Sequence, residues 1–154
     1  MKVCYSRILC QERIREVRAM TIREEIEQLK KEKNAVILAH YYVDEDVQDI
    51  ADYIGDSFYL SKVATKVDQD RIIFAGVEFM GESAKILNPD KRVFMPDMNA
   101  DCPMAHMADK DEILKLREEY DDLAVVCYIN STAELKKSVS YTHLRAHETL
   151  SDLV

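Results

Sequence analysis

No run of eighteen apolar residues occurs anywhere in the 154-residue chain, so no membrane-spanning helix is expected. The first residues also lack the apolar centre of a signal peptide. Basic residues are in the minority, 21 against 29 acidic for a net charge of −8. That balance argues against nucleic acid and against an anionic membrane surface as partners. Cysteine is scarce, with Cys4 and Cys10 near the N-terminus and only Cys102 and Cys127 beyond. So few thiols without a secretion signal point to a reducing cytoplasm rather than a disulfide framework. There is no internal repeat and no low-complexity segment. The expectation is a soluble cytoplasmic protein.

What is present is a set of apolar runs that each break off into a polar cluster. Val36-Ile37-Leu38-Ala39 leads into His40-Tyr41-Tyr42, and Ile72-Ile73-Phe74-Ala75 into Gly76-Val77-Glu78. Val93-Phe94-Met95 leads into Pro96-Asp97-Met98-Asn99-Ala100-Asp101-Cys102, and Val125-Val126-Cys127 into Tyr128-Ile129-Asn130. Short continuous apolar runs of this kind read as parallel strands buried on both faces. The strands are expected at Ala35–Ala39, Arg71–Ala75, Arg92–Met95 and Ala124–Tyr128.

Between them the spacing predicts helices over Thr21–Lys33, Val47–Ile54 (ended by Gly55), Ser57–Lys66, Phe79–Leu87 and Asp111–Tyr120. In the first helix acidic residues come early and Lys30, Lys31 and Lys33 late, which suits the helix dipole. The expected fold is α/β, a parallel four-stranded sheet in a three-layer α/β/α sandwich. Right-handed crossovers would then bring all four strand ends to one edge, where ligands bind in open parallel sheets.

The polar residues at those ends admit several chemistries. Cys102 follows a strand within a polar loop, where a thiol can be a metal ligand, a nucleophile or a redox sensor. His106 makes a C-x-x-x-H spacing with it, weak without a second pair, and is read as a loop or surface residue. His40 either satisfies a backbone carbonyl or binds an anion and moves protons. Ser57 is read as a helix N-cap at a terminus that also suits an anion. Asn130 offers an amide donor and an acceptor, and Ser131 is read as the next cap. Cys127 is assigned to the core, Gly81 to a close backbone approach, and Glu82 and Lys85 to a surface pair. The acidic run Asp44, Glu45, Asp46 and Asp49 is read as mainly a solvated face.

The segments A-H-Y-Y, V-Q-D-I-A-D-Y-I-G-D-S, F-M-G-E-S-A-K-I-L-N-P, M-P-D-M-N-A-D-C and Y-I-N-S-T-A-E-L-K occur in this order. Together they resemble the N-terminal third of quinolinate synthase, the iron–sulfur enzyme of bacterial and archaeal NAD biosynthesis, over about residues 20–137. The resemblance implies the first of three similar domains in an enzyme that condenses iminoaspartate with dihydroxyacetone phosphate. It implies Cys102 as one of three cysteine ligands to a [4Fe–4S] cluster, His40 as a catalytic and substrate-binding residue, and Tyr42 as a catalytic or orienting phenol. It also implies substrate contacts at Ser57, Tyr128, Ile129 and Asn130, and an iminoaspartate-producing partner enzyme. Tyr41 stands where the family varies and receives no role. Two rivals stay open: a cluster-free anion-binding module, and a thiol enzyme using Cys102 with His40 or His106 as base.

Both ends fall outside the resemblance. Residues 1–19 are net +3, whereas residues 20–137 hold 15 basic and 25 acidic residues. Arg15-Glu16-Val17 can be encoded by a purine-rich run resembling a ribosome-binding site, so the expected start is Met20 and residues 1–19 an over-extended reading. The stretch Val139–Thr149 resembles translated sequencing-library adapter, so residues 138–154 are expected to be an artefactual tail. His143 and His147 stand at i and i+4, a zinc-like spacing on a helix, but without a third ligand they are given no role. The second and third cluster cysteines of the family are absent here, and the chain by itself is expected to be inactive.

Overall fold

Residues 21–143 are described by the computed structural model. The expectations for residues 1–19, for Cys4 and Cys10, and for His147 lie outside them. Helix α1 (Ile22–Lys33) starts at Thr21, whose hydroxyl accepts from Glu24 N while Glu24 accepts from Thr21 N, a reciprocal capping box. It ends at Asn34, the one described non-glycine residue with a positive φ, 49°. The acidic start and lysine-rich end are as the sequence suggests.

Strand β1 (Ala35–His40) is buried along its whole length. The short helix α2 (Glu45–Gln48) follows, capped by the Asp44 carboxylate, which accepts from Asp46 N. Asp44, Glu45, Asp46 and Asp49 are exposed, as expected of a solvated face. The anticipated helix over Val47–Ile54 does not form. Its second half becomes strand β2 (Tyr53–Gly55), parallel to β1. The switch has a tertiary cause: Asp52 accepts from Ile37 N through its carboxylate, its own N–H donates to Ile37 O, and Lys30 pairs with it at 2.7 Å. These contacts with β1 replace the hydrogen bonds a helix would have made.

Helix α3 (Ser57–Ala64), strand β3 (Arg71–Ala75), helix α4 (Glu78–Leu87) and strand β4 (Arg92–Phe94) complete the unit. The sheet is four-stranded and all parallel, in the order β2-β1-β3-β4. The steps β2 to β3 and β3 to β4 run the same way across it, so right-handed crossovers place α3 and α4 on one face, where they pack together. The step β1 to β2 runs the opposite way and places α2 on the other face. Leu38, Leu60, Ile72 and Phe74 are the largest fully buried side chains and lie between the sheet and α3–α4.

After β4 come a 3₁₀ turn (Pro103–His106), helix α5 (Lys110–Glu119), strand β5 (Val126–Tyr128), helix α6 (Ala133–Lys136) and strand β6 (Tyr141–His143). The fourth expected strand is therefore not in the main sheet. It pairs in parallel with β6 in a separate two-stranded sheet. His143 is on a strand, so the helical spacing considered for it does not arise. No described helix is long and apolar enough to cross a membrane.

Candidate active site

The parallel register carries the C-terminal ends of β1, β2 and β3 to one edge. There they wall a cavity of about 980 Å³. His40, Tyr41 and Tyr42 enter it from the end of β1, Asp56, Ser57 and Phe58 from the start of α3, and Gly76 and Val77 from the loop after β3. Asp97, Ala100 and Cys102 come from the loop after β4, and Tyr128 and Asn130 from the end of β5. Six of the seven expected site residues thus share one wall. The exception is Ile129, which faces an adjoining, mostly apolar cavity of about 390 Å³ between α3, α4 and α6.

His40 is the most enclosed of the polar groups, at 8% exposure. Its Nδ1 accepts from the backbone N–H of Tyr42 at 3.2 Å. Tyr41 stacks on its ring with centroids 4.4 Å apart, and Tyr42 meets it edge-on at 4.8 Å. Burial pushes the imidazole below its ordinary pKa, and the Asp56 carboxylate opposes that shift. Tyr42 stands largely in solvent at the cavity mouth.

Ser57 does not cap α3. Asp56 does, its carboxylate accepting from Tyr59 N at 2.7 Å. Aspartate and serine are both good caps, and the one that precedes the helix takes the role. The Ser57 hydroxyl is left to donate to Asn130 Oδ1 at 3.3 Å, and Asn130 Nδ2 donates to the Tyr128 hydroxyl at 3.2 Å. This chain ties α3 to the β5 end across the cavity and leaves the Tyr128 hydroxyl hydrogen free to donate.

Cys102 packs against the edge of the core while lining the cavity. Its backbone N–H donates to the Asp101 carboxylate at 2.7 Å, and its carbonyl accepts from Ala105 N, which starts the 3₁₀ turn. His106 is exposed, as the sequence reading has it, and its Nε2 sits 2.8 Å from Asp101, which holds that carboxyl below its usual range. Glu78, Asp101 and His106 bring ligand atoms within 4.8 Å of one another, all at exposed positions.

Several sequence assignments change. Cys127 is half-buried outside the core cluster, its thiol facing the Ser131 hydroxyl at 3.0 Å, because its strand left the main sheet. Ser131 donates to Tyr128 O, and Thr132 caps α6. Glu82 accepts from Ala133 N while Lys85 donates to Pro89 O and Lys91 O, so the two do not pair. The close approach at Gly81 is to the Met95 side chain, which a Cβ would strike. Asp56 and Asp97 are cavity residues that sequence reasoning missed, although Asp56 carried a signal as a strong cap before a helix. Tyr41 carried none beyond its neighbours.

Residues 24–147 match the family described as Quinolinate synthetase A protein. This chain belongs to that family. It is 65% identical over 115 residues to the quinolinate synthase of Fusobacterium nucleatum, covering 75% of this chain and 39% of the relative. The quinolinate synthase of Clostridium perfringens is 52% identical over 136 residues, covering 87% of this chain and 45% of the relative. That of Pyrococcus furiosus is 54% identical over 121 residues, covering 79% of this chain and 40% of the relative. The chain thus spans about two-fifths of the length of these quinolinate synthases.

Proposed function

We propose that this chain is the first domain of a quinolinate synthase of de novo NAD biosynthesis, working in the cytoplasm on iminoaspartate and dihydroxyacetone phosphate. The observation that carries the reading is the shared cavity wall of His40, Tyr42, Ser57, Cys102, Tyr128 and Asn130. A dicarboxylate and a phosphorylated ketone must be held side by side with water limited, which needs donors from several directions. His40 and Ser57 approach from the sheet edge and the start of α3, Tyr128 and Asn130 from the facing β5 end. Tyr42, exposed at the mouth, would orient substrate as it enters.

The donor set fits one corner of an iron–sulfur cluster. Cys102 is the only thiol on the cavity wall among the described residues, Cys127 being turned to Ser131. The remaining thiolates of a [4Fe–4S] cluster would come from outside this chain, which alone is inactive. When bound, such a cluster supplies an iron without a protein ligand as a Lewis acid. An enzyme producing iminoaspartate is the partner that the substrate calls for. Among the described residues no histidine is hydrogen-bonded to Cys102, and His106 is engaged by Asp101, so no observation favours the thiol-enzyme alternative.

The test uses a full-length quinolinate synthase carrying this domain. Cys102→Ser should abolish the cluster absorbance while Cys127→Ser keeps it. His40→Ala and Asn130→Ala should retain iron yet lower turnover at least about tenfold, roughly 1.4 kcal/mol of transition-state stabilisation. An unchanged cluster in the Cys102 variant, or near-normal turnover in both others, overturns the reading.

A further inference from the structure

The cavity wall holds one histidine whose two nitrogens are treated differently. His40 Nδ1 accepts the Tyr42 backbone N–H at 3.2 Å, so in the neutral ring the proton must sit on Nε2. Among the described residues no protein group hydrogen-bonds to Nε2, and the only buried side-chain nitrogen or oxygen without a partner is His143 Nδ1. The Nε2–H of His40 is therefore reachable from the cavity.

The ring's orientation needs its own explanation, because a hydrogen bond between residues two apart fixes a direction but not the ring plane. Tyr41 supplies that constraint. Its ring lies nearly parallel to the imidazole, 4.4 Å away at an interplanar angle of 25°. Its own backbone is tied down by donation from Tyr41 N to Gly55 O at 3.2 Å, at the end of β2. Stacked rings at this spacing resist rotation of either one.

We propose that His40 is held as the Nε2–H tautomer, a hydrogen-bond donor aimed into the cavity and not a general base, and that Tyr41 is the positioning residue that holds it there. The ligand atom such a donor takes is an acceptor oxygen: a carboxylate, a phosphate or a ketone carbonyl. The choice between donor and base deepens the reading of His40 as a substrate contact and rests on it. The groups that share the cavity and could compete for the imidazole are Asp56, Asp97, Cys102, Tyr42 and Tyr128. Among the described residues none is hydrogen-bonded to Nε2.

The tautomer is measured directly by ¹⁵N NMR of ring-labelled histidine in the 154-residue chain, without cluster or substrate. The unmodified chain should show His40 with unprotonated Nδ1 and protonated Nε2 above its titration. Tyr41→Phe should preserve this, since the stack needs only the ring. Tyr41→Ala should lower the Nε2–H to Nδ1–H ratio about fivefold, as expected for weakening one hydrogen bond worth about 1 kcal/mol. Tyr41→Leu, which keeps the volume without the aromatic face, should resemble alanine and guards against a folding defect in that variant. A protonated Nδ1 in the unmodified chain overturns the tautomer. Leucine and alanine spectra identical to the unmodified chain overturn the role of Tyr41. Neither result bears on whether His40 touches substrate, which the turnover of His40→Ala decides separately.

Discussion

Strands β1 and β5 look alike as sequence and end as opposites. Val36-Ile37-Leu38 is buried between helices, with Leu38 at 0% exposure, whereas Val126 in Val125-Val126-Cys127 is 58% exposed. Both nonetheless deliver polar residues to the same cavity. The first region is positioned by apolar burial around Leu38, Ile72 and Phe74. The second is positioned by polar links: Glu82 to Ala133 N at 2.7 Å, Lys136 Nζ to the Ser83 hydroxyl at 3.1 Å, and Ser57 to Asn130 at 3.3 Å. One cavity is therefore built from a wall with a hydrophobic foundation and a wall hung on hydrogen bonds. The two should fail differently.

The largest expected contrast is in global stability. Phe74→Ala empties a fully buried site and should cost about 3–5 kcal/mol, whereas Val126→Ala, on an exposed strand, should stay within about 0.5 kcal/mol. Urea denaturation of the two variants measures both. Comparable losses would mean that β5 contributes to the same core and would dissolve the distinction.

The polar wall should fail locally. Glu82→Ala removes the acceptor of Ala133 N and the carboxylate that favours the charge of half-buried Lys136, whose amine burial pulls below its ordinary pKa. A hydrogen bond to a charged group contributes about 1.5–3 kcal/mol, so amide exchange over 131–136 should speed at least about tenfold. Amides of β1 should be unaffected. Equal acceleration in both would show that the two walls open together.

The same contrast explains what could be read from sequence. Strand β1 was legible because residues buried on both faces leave an unbroken apolar run, and β3 and β4 because Ile72-Ile73-Phe74 and Val93-Phe94 are apolar runs too, although Phe94 ends exposed. Helix α1 was legible because its apolar spacing and charge order are local. Strand β2 was not: Tyr53-Ile54-Gly55 has no apolar run, and its place is set by contacts of Asp52 with Ile37, fifteen residues away along the chain. The placement of β5 was not legible either, since an apolar run specifies no partner and, with Val126 at 58% exposure, not even burial. The site was more readable than the topology. Tyr128 and Asn130 reach the cavity although their strand lies in another sheet, because the hydrogen bonds of Ser57 to Asn130 and of Ala133 N to Glu82 hold them there. Ile129, between them, turns to the neighbouring cavity.

The smallest expected effect is a pH dependence within the hydrophobic wall. Burial holds the His40 imidazole below the ordinary histidine value of 6.5, with Asp56 only partly offsetting it. Between the folded value and 6.5 the unfolded chain therefore binds more protons than the folded one, and stability rises with pH across that interval. The contribution is complete above about pH 6.5 and is lost progressively as the pH falls through 6.5 toward the folded value. Asp101, by contrast, sits below its ordinary value of 3.8 beside His106, so its stabilisation is lost only at more acidic pH and does not overlap. Denaturation of the unmodified chain at about pH 7.5 and about pH 5.5 should show a decline that His40→Gln diminishes, since glutamine cannot take up the proton. An identical decline in the glutamine variant would mean that the imidazole is as well hydrated as in the unfolded chain. The enclosure of His40 by Tyr41 and the end of β1 would then not be what sets its charge.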